Sequence, residues 1–458
     1  MALKEQVING HKRQIWLANI LAKVGNNSPI GKLLRLVFYY ADGIVILRHW
    51  RDFLYIRKDN IGDKYFAVDQ AVMHSSHSQV KELMHTEPQL RGNDLGIIRI
   101  LAPSYLLNNP LSLGMNGNEH TGARALFLQA LPNPLERSDI LGELVNQCLA
   151  DAAKQKQLHI GNDLPRMMIR ILHQVVFNIS LSDEEITASS NFVKGLPLAS
   201  FPNFISEKLL SSRTAPIIKH RKNLIKRYQQ SSKWAAYLET GSQYRLNPHQ
   251  IANSLFDMIH IAGTAGTSAL LGSVIGVLCQ DAELRNDVIR EINTAWDGNE
   301  PLNGNAMLRK ERSTTIAQLT LTQTAILETA RLYPPVRFVS QLARESGEIE
   351  IGGSKCPFQK GTRLLGSVFT ANRDHRRYNN PDNFDTTRDF SDILSWNGKE
   401  HERACPGKSL SIGLIQIFCL YLFKKYEWNS TTPVKWDFDK VTAVTPNDLV
   451  LQGFSLRS

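Results

Sequence analysis

Apolar and polar positions along the chain fall into two textures. Between about residues 119 and 332, apolar residues recur mostly at three- and four-residue spacing, as in helices with one face turned inward. One helix is predicted from near Glu119. A second begins after Asn247-Pro248 and runs to about Cys279. Leu284, Val288, Ile289 and Ile292 set a third over 281–296, and a fourth spans 319–332 and stops at Pro334-Pro335. From Phe338 to Phe369 short β-type runs broken by turns take over, followed by a Pro/Asn/Asp-rich loop from Asn372 to Ser395. The last long helix starts after Cys405-Pro406-Gly407, with Leu410, Leu414, Ile417 and Tyr421 on one face. A strand over 65–72, a helix from Ser78 and a hairpin-like end around 445–456 complete the reading. No repeat or linker divides the chain. The expectation is a mainly α fold with a smaller β region, organised as one domain over residues 1–458.

Composition narrows the class. Of 458 residues, 42% are hydrophobic and 21% charged, a globular balance that excludes disordered and fibrous chains and allows a core large enough to enclose a cofactor. The formal charge of +10 suits nucleic acid, an anionic membrane surface or an acidic protein partner. It is spread along the chain without a recognised nucleic-acid motif, so nucleic-acid binding is not expected. The five cysteines are scattered, with no CxxC pair, which argues against a disulfide framework or zinc ribbon and for a reducing compartment. No stretch reaches the ~18 uninterrupted apolar residues of a membrane span. The greasiest N-terminal run, Leu33 to Leu47, is broken by Arg35, Asp42 and Gly43. The chain reads as soluble and cytoplasmic, with membrane contact at most peripheral and no transmembrane anchor.

Four segments carry candidate chemistry. Cys405 lies in HERACPG at a helix entrance, where the helix dipole and free backbone N–H groups favour a thiolate that can ligate iron. The same segment also fits a buried cysteine that only packs. Glu328 and Arg331 stand at i and i+3 in AILETARLYPPV, so they share a helix face. Flanked by apolar residues, they call for a further polar partner, and Arg388 is the candidate. The apolar helix through Ala262-Gly263-Thr264-Ala265-Gly266-Thr267-Ser268 has small residues that permit a flat group to approach or the ladder to open locally; tight helix packing explains them equally well. His120 and Arg124, at i and i+4, can reach one carboxylate, though on these residues alone a solvated helix start is the simpler reading.

Together and in this order, HTGAR, AGTAGTS, ETAR, the ANRD…PDNFDTTR stretch and RACPG resemble the cytochrome P-450 superfamily of haem-thiolate oxygenases, over roughly residues 110–458. The resemblance implies haem b with Cys405 as the iron ligand. It implies that His120, Arg124 and Arg403 hold the propionates, with Arg337 a further candidate because Gln341 occupies the position that often carries the arginine. Glu328, Arg331 and Arg388 become the buried cluster supporting the cysteine loop. Ala262, Gly263, Leu449 and Val450 border the substrate pocket, and Thr264 and Thr267 are the catalytic hydroxyls. Two departures stand out. The aromatic residue and glycine usual before the cysteine are replaced by Gly398 and His401, with Trp396 a substitute aromatic. The acid usual beside the distal threonine is missing in either register, leaving Ala265 or Gly266 there.

The activity implied is a monooxygenase that inserts one oxygen atom into a hydrophobic small molecule such as a fatty acid or terpenoid. Electrons would come from a ferredoxin- or flavodoxin-type donor drawn to Lys399, Arg403, Lys408, Lys424 and Lys425. Because oxygen activation needs delivered protons, the missing acid opens an alternative: a peroxygenase or fatty-acid hydroperoxide isomerase needing neither O₂ nor reductant. Thr264, Thr267, Ser268 or His260 with water are the substitutes for the acid. A haem-binding sensor or carrier without turnover is the third reading. The basic, partly apolar stretch Lys208–Arg227 falls where the resemblance places a lid over the substrate channel.

Overall fold

The computed structural model describes residues 66–68, 71–74, 76–85, 91–92, 115, 117–199, 211–296, 315–343, 345–351, 354–358, 363–398, 403–437 and 443–457. In place of one strand over 65–72, two short strands, β1 (Phe66–Val68) and β2 (Ala71–His74), pair antiparallel. Helix α1 (His77–His85) follows, then β3 (Arg91–Gly92). The helical part comprises α2 (Gly117–Ala130), α3 (Ser138–Lys154), α4 (Ile160–Phe177), α5 (Asp183–Ala199), α6 (Ser211–Gln229) and α7 (Trp234–Gln243). A short strand, β4 (Gln157–His159), interrupts it between α3 and α4.

The long central helix is three pieces: α8 (Pro248–Asp257), a π segment (Met258–Ala265) and α9 (Gly266–Gln280). Asn247 starts it with a reciprocal cap, accepting from Gln250 N at 2.9 Å while its own N–H donates to the Gln250 amide oxygen at 3.0 Å. At the other end Asp281 stops α9 and caps α10 (Ala282–Ala295) through Leu284 N at 2.9 Å. Between these caps, Ala262, Gly263, Ala265 and Gly266 offer little side-chain packing to enforce an α register, and the ladder opens there into π geometry. Among the described residues Pro248–Gln280 is the one helix long and apolar enough to cross a membrane. It packs on α4 and α5 instead, and its apolar stretch is two-thirds buried as a core element.

Helix α11 (Thr320–Leu332) leads into β5 (Phe338–Ala343), β6 (Gly347–Ile351), β7 (Ser354–Phe358) and β8 (Arg363–Ser367). The main sheet runs β1-β2-β8-β5-β3, parallel only between β2 and β8, and β6–β7 form a separate hairpin. Helix α12 (Lys408–Lys425) was expected to bury one face. It is buried on all sides from Leu410 to Phe423, wedged among α3, α9, α10 and α11, which is why apolar residues surround it.

The expected terminal hairpin is a set of short strands that each pair elsewhere: β9 (Tyr426–Glu427), β10 (Ser430–Thr431), β11 (Lys435–Asp437), β12 (Thr445–Asn447), β13 (Val450–Gln452) and β14 (Ser455–Leu456). β13 lies between β10 and β4, β12 pairs with β11, and β14 with β9.

Candidate functional site around Cys405

The loop before Cys405 turns through three consecutive left-handed residues, Trp396 (φ 58°), Asn397 (φ 67°) and Gly398 (φ 79°). Two of them carry side chains, so the turn needs outside support. Asn397 Nδ2 donates to Arg403 O at 2.8 Å, and Cys405 N donates to Trp396 O at 2.9 Å, closing the loop on itself. Gly407 borders the space beside the sulfur: a Cβ there would sit 3.8 Å from Cys405 Sγ, in ordinary contact.

Cys405 is exposed by contact area, yet burial pushes its pKa up. The N–H groups of Gly407 and Lys408 and the charges of Arg124 and Lys408 pull the other way and lose. The helix entrance favours a thiolate, as its N–H groups suggest, and desolvation of the sulfur opposes it.

Beside this space the structure gathers the cationic groups that the sequence singled out. His120 is held down to about 4 by burial and by the charges of Arg403 and Arg124. Arg124 also donates to Ala404 O next to the cysteine. Cations crowded on one another around a partly exposed histidine fit an anionic occupant, and the carboxylates of an iron porphyrin answer that need. Arg337 is fully buried, its guanidinium 5.0 Å from the Phe369 ring centre. Gln341 is turned toward α1, where its amide donates to Leu83 O at 2.8 Å.

Glu328 and Arg331 of the support cluster are fully buried, and Arg388 reaches them from a partly exposed loop. Glu328 accepts from Arg331 Nε and Nη2 at 2.7 Å each, from Arg388 Nε at 3.1 Å and from Asp385 N at 2.9 Å. The sequence reading missed the link from this cluster to the cysteine loop. Arg331 Nη1 donates to Asn372 O at 2.7 Å; Asn372 Nδ2 donates to Ser395 Oγ at 3.2 Å; Ser395 Oγ donates to Ala330 O at 2.7 Å. Ser395 immediately precedes Trp396, so the chain of bonds ends at the left-handed turn. A lone Asn and Ser in a loop give no periodic signal that would have marked them.

On the long helix, Ala262 is exposed although flanked by buried turns. Gly263, expected to border the pocket, instead faces α4: a Cβ there would lie 2.7 Å from Leu172 Cδ1 and 3.1 Å from Met258 O. Thr264 is sealed, its hydroxyl without a hydrogen-bond partner among the described residues, whereas Thr267 and Ser268 keep 8% and 7% exposure. His260 is also turned away. Its Nδ1 is 2.9 Å from Phe256 O and its Nε2 3.2 Å from Ser189 Oγ, so it does not stand in for the missing acid. Leu449 is 1% exposed and its carbonyl accepts from Ile160 N, which places it in packing rather than on open space. Val450 pairs with His159 of β4 and is partly exposed.

The basic patch proposed around Cys405 contracts. Lys424 and Lys425 close α12, about 24 Å from Lys408 along the helix axis. Lys424 bonds Asn293 Oδ1 at 3.1 Å. Arg403 and Lys408 remain near the cysteine, and Lys399 lies outside the described residues, as do residues 208–210 of the lid stretch.

A family model described as cytochrome P450 matches residues 69–451. Curated relatives include (+)-vincadifformine 19-hydroxylase of Catharanthus roseus, 25% identical over 184 residues, 38% of this chain and 34% of the relative. Premnaspirodiene oxygenase of Hyoscyamus muticus is 26% identical over 226 residues, 46% and 42% of the two chains. Ferruginol synthase of Salvia pomifera is 22% identical over 222 residues, 47% and 44%. The chain thus spans less than half the length of these relatives. The hydroperoxide-using alternative drawn from the missing acid gains no support from them.

Proposed function

The chain belongs to the cytochrome P450 family, and from that premise we propose that it is a haem-thiolate monooxygenase acting on a hydrophobic small molecule of terpenoid type. Its cofactor is haem b. When bound, the haem supplies an iron centre for oxygen activation, with electron density pushed onto it by a cysteine thiolate. The observation that supports the reading best is the desolvated thiol of Cys405 close to Arg124, with His120 held down to about 4 by burial and by the charges of Arg403 and Arg124.

Cys405 is the metal ligand in this proposal. His120, Arg124 and Arg403 hold the carboxylates, and buried Arg337 is a further candidate for that role. Glu328, Arg331 and Arg388 stiffen the loop. Ala262 leaves the distal side bare for substrate, with Val450 the remaining candidate from the C-terminal turn. With Thr264 sealed, the Oγ1 of Thr267 is the hydroxyl that holds and passes a proton, aided by Ser268. A separate electron donor docks over Arg403 and Lys408.

The test is a carbon monoxide difference spectrum of the reduced, haem-loaded protein, followed by turnover with NADPH and a redox chain on a terpenoid panel. A thiolate-type band that Cys405→Ala abolishes, and product carrying one oxygen from O₂, are expected. A chain that takes up no haem, or a spectrum indifferent to Cys405→Ala, would overturn the proposal.

A further inference from the structure

Resting on the reading just proposed, we infer that Gly266 is a specificity-determining position of the substrate pocket: the side chain it lacks leaves a recess on the long helix that admits the broad ring body of a terpenoid-type substrate, as against a slim acyl chain. Four glycines lie on that helix, at 263, 266, 272 and 276. Packing explains three of them. A Cβ on Gly263 would lie 2.7 Å from Leu172 Cδ1, one on Gly272 2.9 Å from Ile160 Cγ2, and one on Gly276 3.1 Å from Trp436 Cη2 and 3.2 Å from Pro446 Cγ. A Cβ on Gly266 would meet nothing within 4 Å. Glycine inside a helix is less stable than alanine, because its unfolded backbone has more freedom to lose. Close packing offsets that loss at 263, 272 and 276. At 266 no described neighbour does, so the room itself is what the glycine provides.

The recess opens on the accessible side of the helix. Ala262 and Gly266 stand at i and i+4 and share a face. Ala262 is exposed, and Gly266 is half-buried like its neighbours on that face, Ala265 and Ala269. The strip from 262 to 269 therefore carries no side chain larger than a methyl group over roughly 10 Å of helix axis. The helix is closed on either side of the strip: Met258, Ile259, His260 and every residue from Leu270 to Leu278 are buried.

A bare floor of that length suits the face of a fused or caged ring system, which gains contact across its whole width. A straight acyl chain is a narrow cylinder and makes no use of the extra room at Gly266. An added Cβ takes away space for about one methyl group, and one such group in an apolar pocket is worth roughly 10–200-fold in selectivity. The porphyrin is the other flat group of comparable width, and the test separates the two occupants.

The haem-loaded full chain is titrated with two imidazoles that ligate iron through the same nitrogen, one carrying a straight hexyl chain and the other an adamantyl cage, and binding is read from the Soret shift. The proteins are wild type, Gly266→Ala, Gly266→Val and a control at an open glycine off this helix, Gly161→Ala. Gly266→Ala should weaken the cage ligand roughly tenfold and Gly266→Val roughly a hundredfold, with the hexyl ligand changed by less than about twofold. Gly161→Ala should match wild type. Haem content and the carbon monoxide band of the reduced protein should be the same in all four. Equal weakening of both ligands, or none, would overturn the inference. Loss of haem uptake in Gly266→Val, with its haem-free urea midpoint unchanged, would assign the recess to the porphyrin and overturn it as well. If Gly266→Val melts early, the Gly266→Ala titration decides. A wild type that takes up no haem, or shows no thiolate-type band, would sink the proposed function and the inference with it, whereas a normal band with flat selectivity would sink the inference alone.

Discussion

Cys405 and His120 are both moved from their ordinary pKa values by burial, in ways that leave each short of an opposite charge. The Cys405 thiol is pushed up, so in haem-free protein iodoacetamide should label it more slowly at neutral pH than an exposed cysteine, with labelling accelerating only at alkaline pH. Rapid complete labelling at neutral pH, read by mass spectrometry, would mean the helix entrance wins after all. His120 falls to about 4 from an unfolded value of 6.5. Its folded value is the lower one, so protonation opposes folding as pH drops from 6.5 toward about 4. Carboxylates arriving beside His120 must reverse that shift, so haem binding should take up protons in this window. Calorimetry in buffers of different ionisation enthalpy reads the uptake, and His120→Gln should reduce it while raising the haem dissociation rate severalfold.

Helix packing separates two glycines that the sequence could not tell apart. A Cβ on Gly263 meets Leu172 and the Met258 carbonyl, whereas one on Gly266 meets nothing within 4 Å. Gly263→Ala should cost about 1–3 kcal/mol in the haem-free protein, and Gly266→Ala should be neutral or stabilise by up to about 1 kcal/mol. Adding Leu172→Ala to Gly263→Ala should cost less than the sum of the two singles, since the clash goes with the leucine. Urea melts of the four variants check both expectations. The helices around this site were legible because apolar spacing, the Asn247-Pro248 start and the Pro334-Pro335 stop all agree locally. The π segment was legible only as a run of small residues. Which of those residues face open space depends on α4, far away in sequence, so the contact of Gly263 with Leu172 and the sealing of Thr264 could not be read from the spacing. The two-residue strands near the C-terminus were missed as separate pairings because partners such as β4 lie some 290 residues away.

At the scale of the whole molecule, charged groups fasten helices α1 and α11 to the loop that leads to the cysteine, and the sequence named only half of them. Glu328, Arg331 and Arg388 were legible because an apolar helix containing an acid and a base demands a partner. The second clamp, around Asp374, had no such setting. Its carboxylate accepts from His77 N of α1 at 2.9 Å, and from Arg376 N, Nε and Nη2 at 3.0, 2.9 and 2.9 Å. Next to it Lys81 pairs with Asp392 at 2.9 Å, and His77 Nε2 lies 2.9 Å from Asp392 O. These donors outweigh burial and hold Asp374 at about 2, below its unfolded 3.8. The folded value is the lower one, so the clamp stabilises fully above about pH 4 and is lost as pH falls toward 2, with about 2 kcal/mol at stake. Asp374→Asn keeps the shape but not the charge. It should be less stable than wild type by about that amount at neutral pH, and the gap should close on acidification through the same window. Urea unfolding at a series of pH values measures it. A gap that stays constant would assign the loss to packing at Asp374 rather than to its charge.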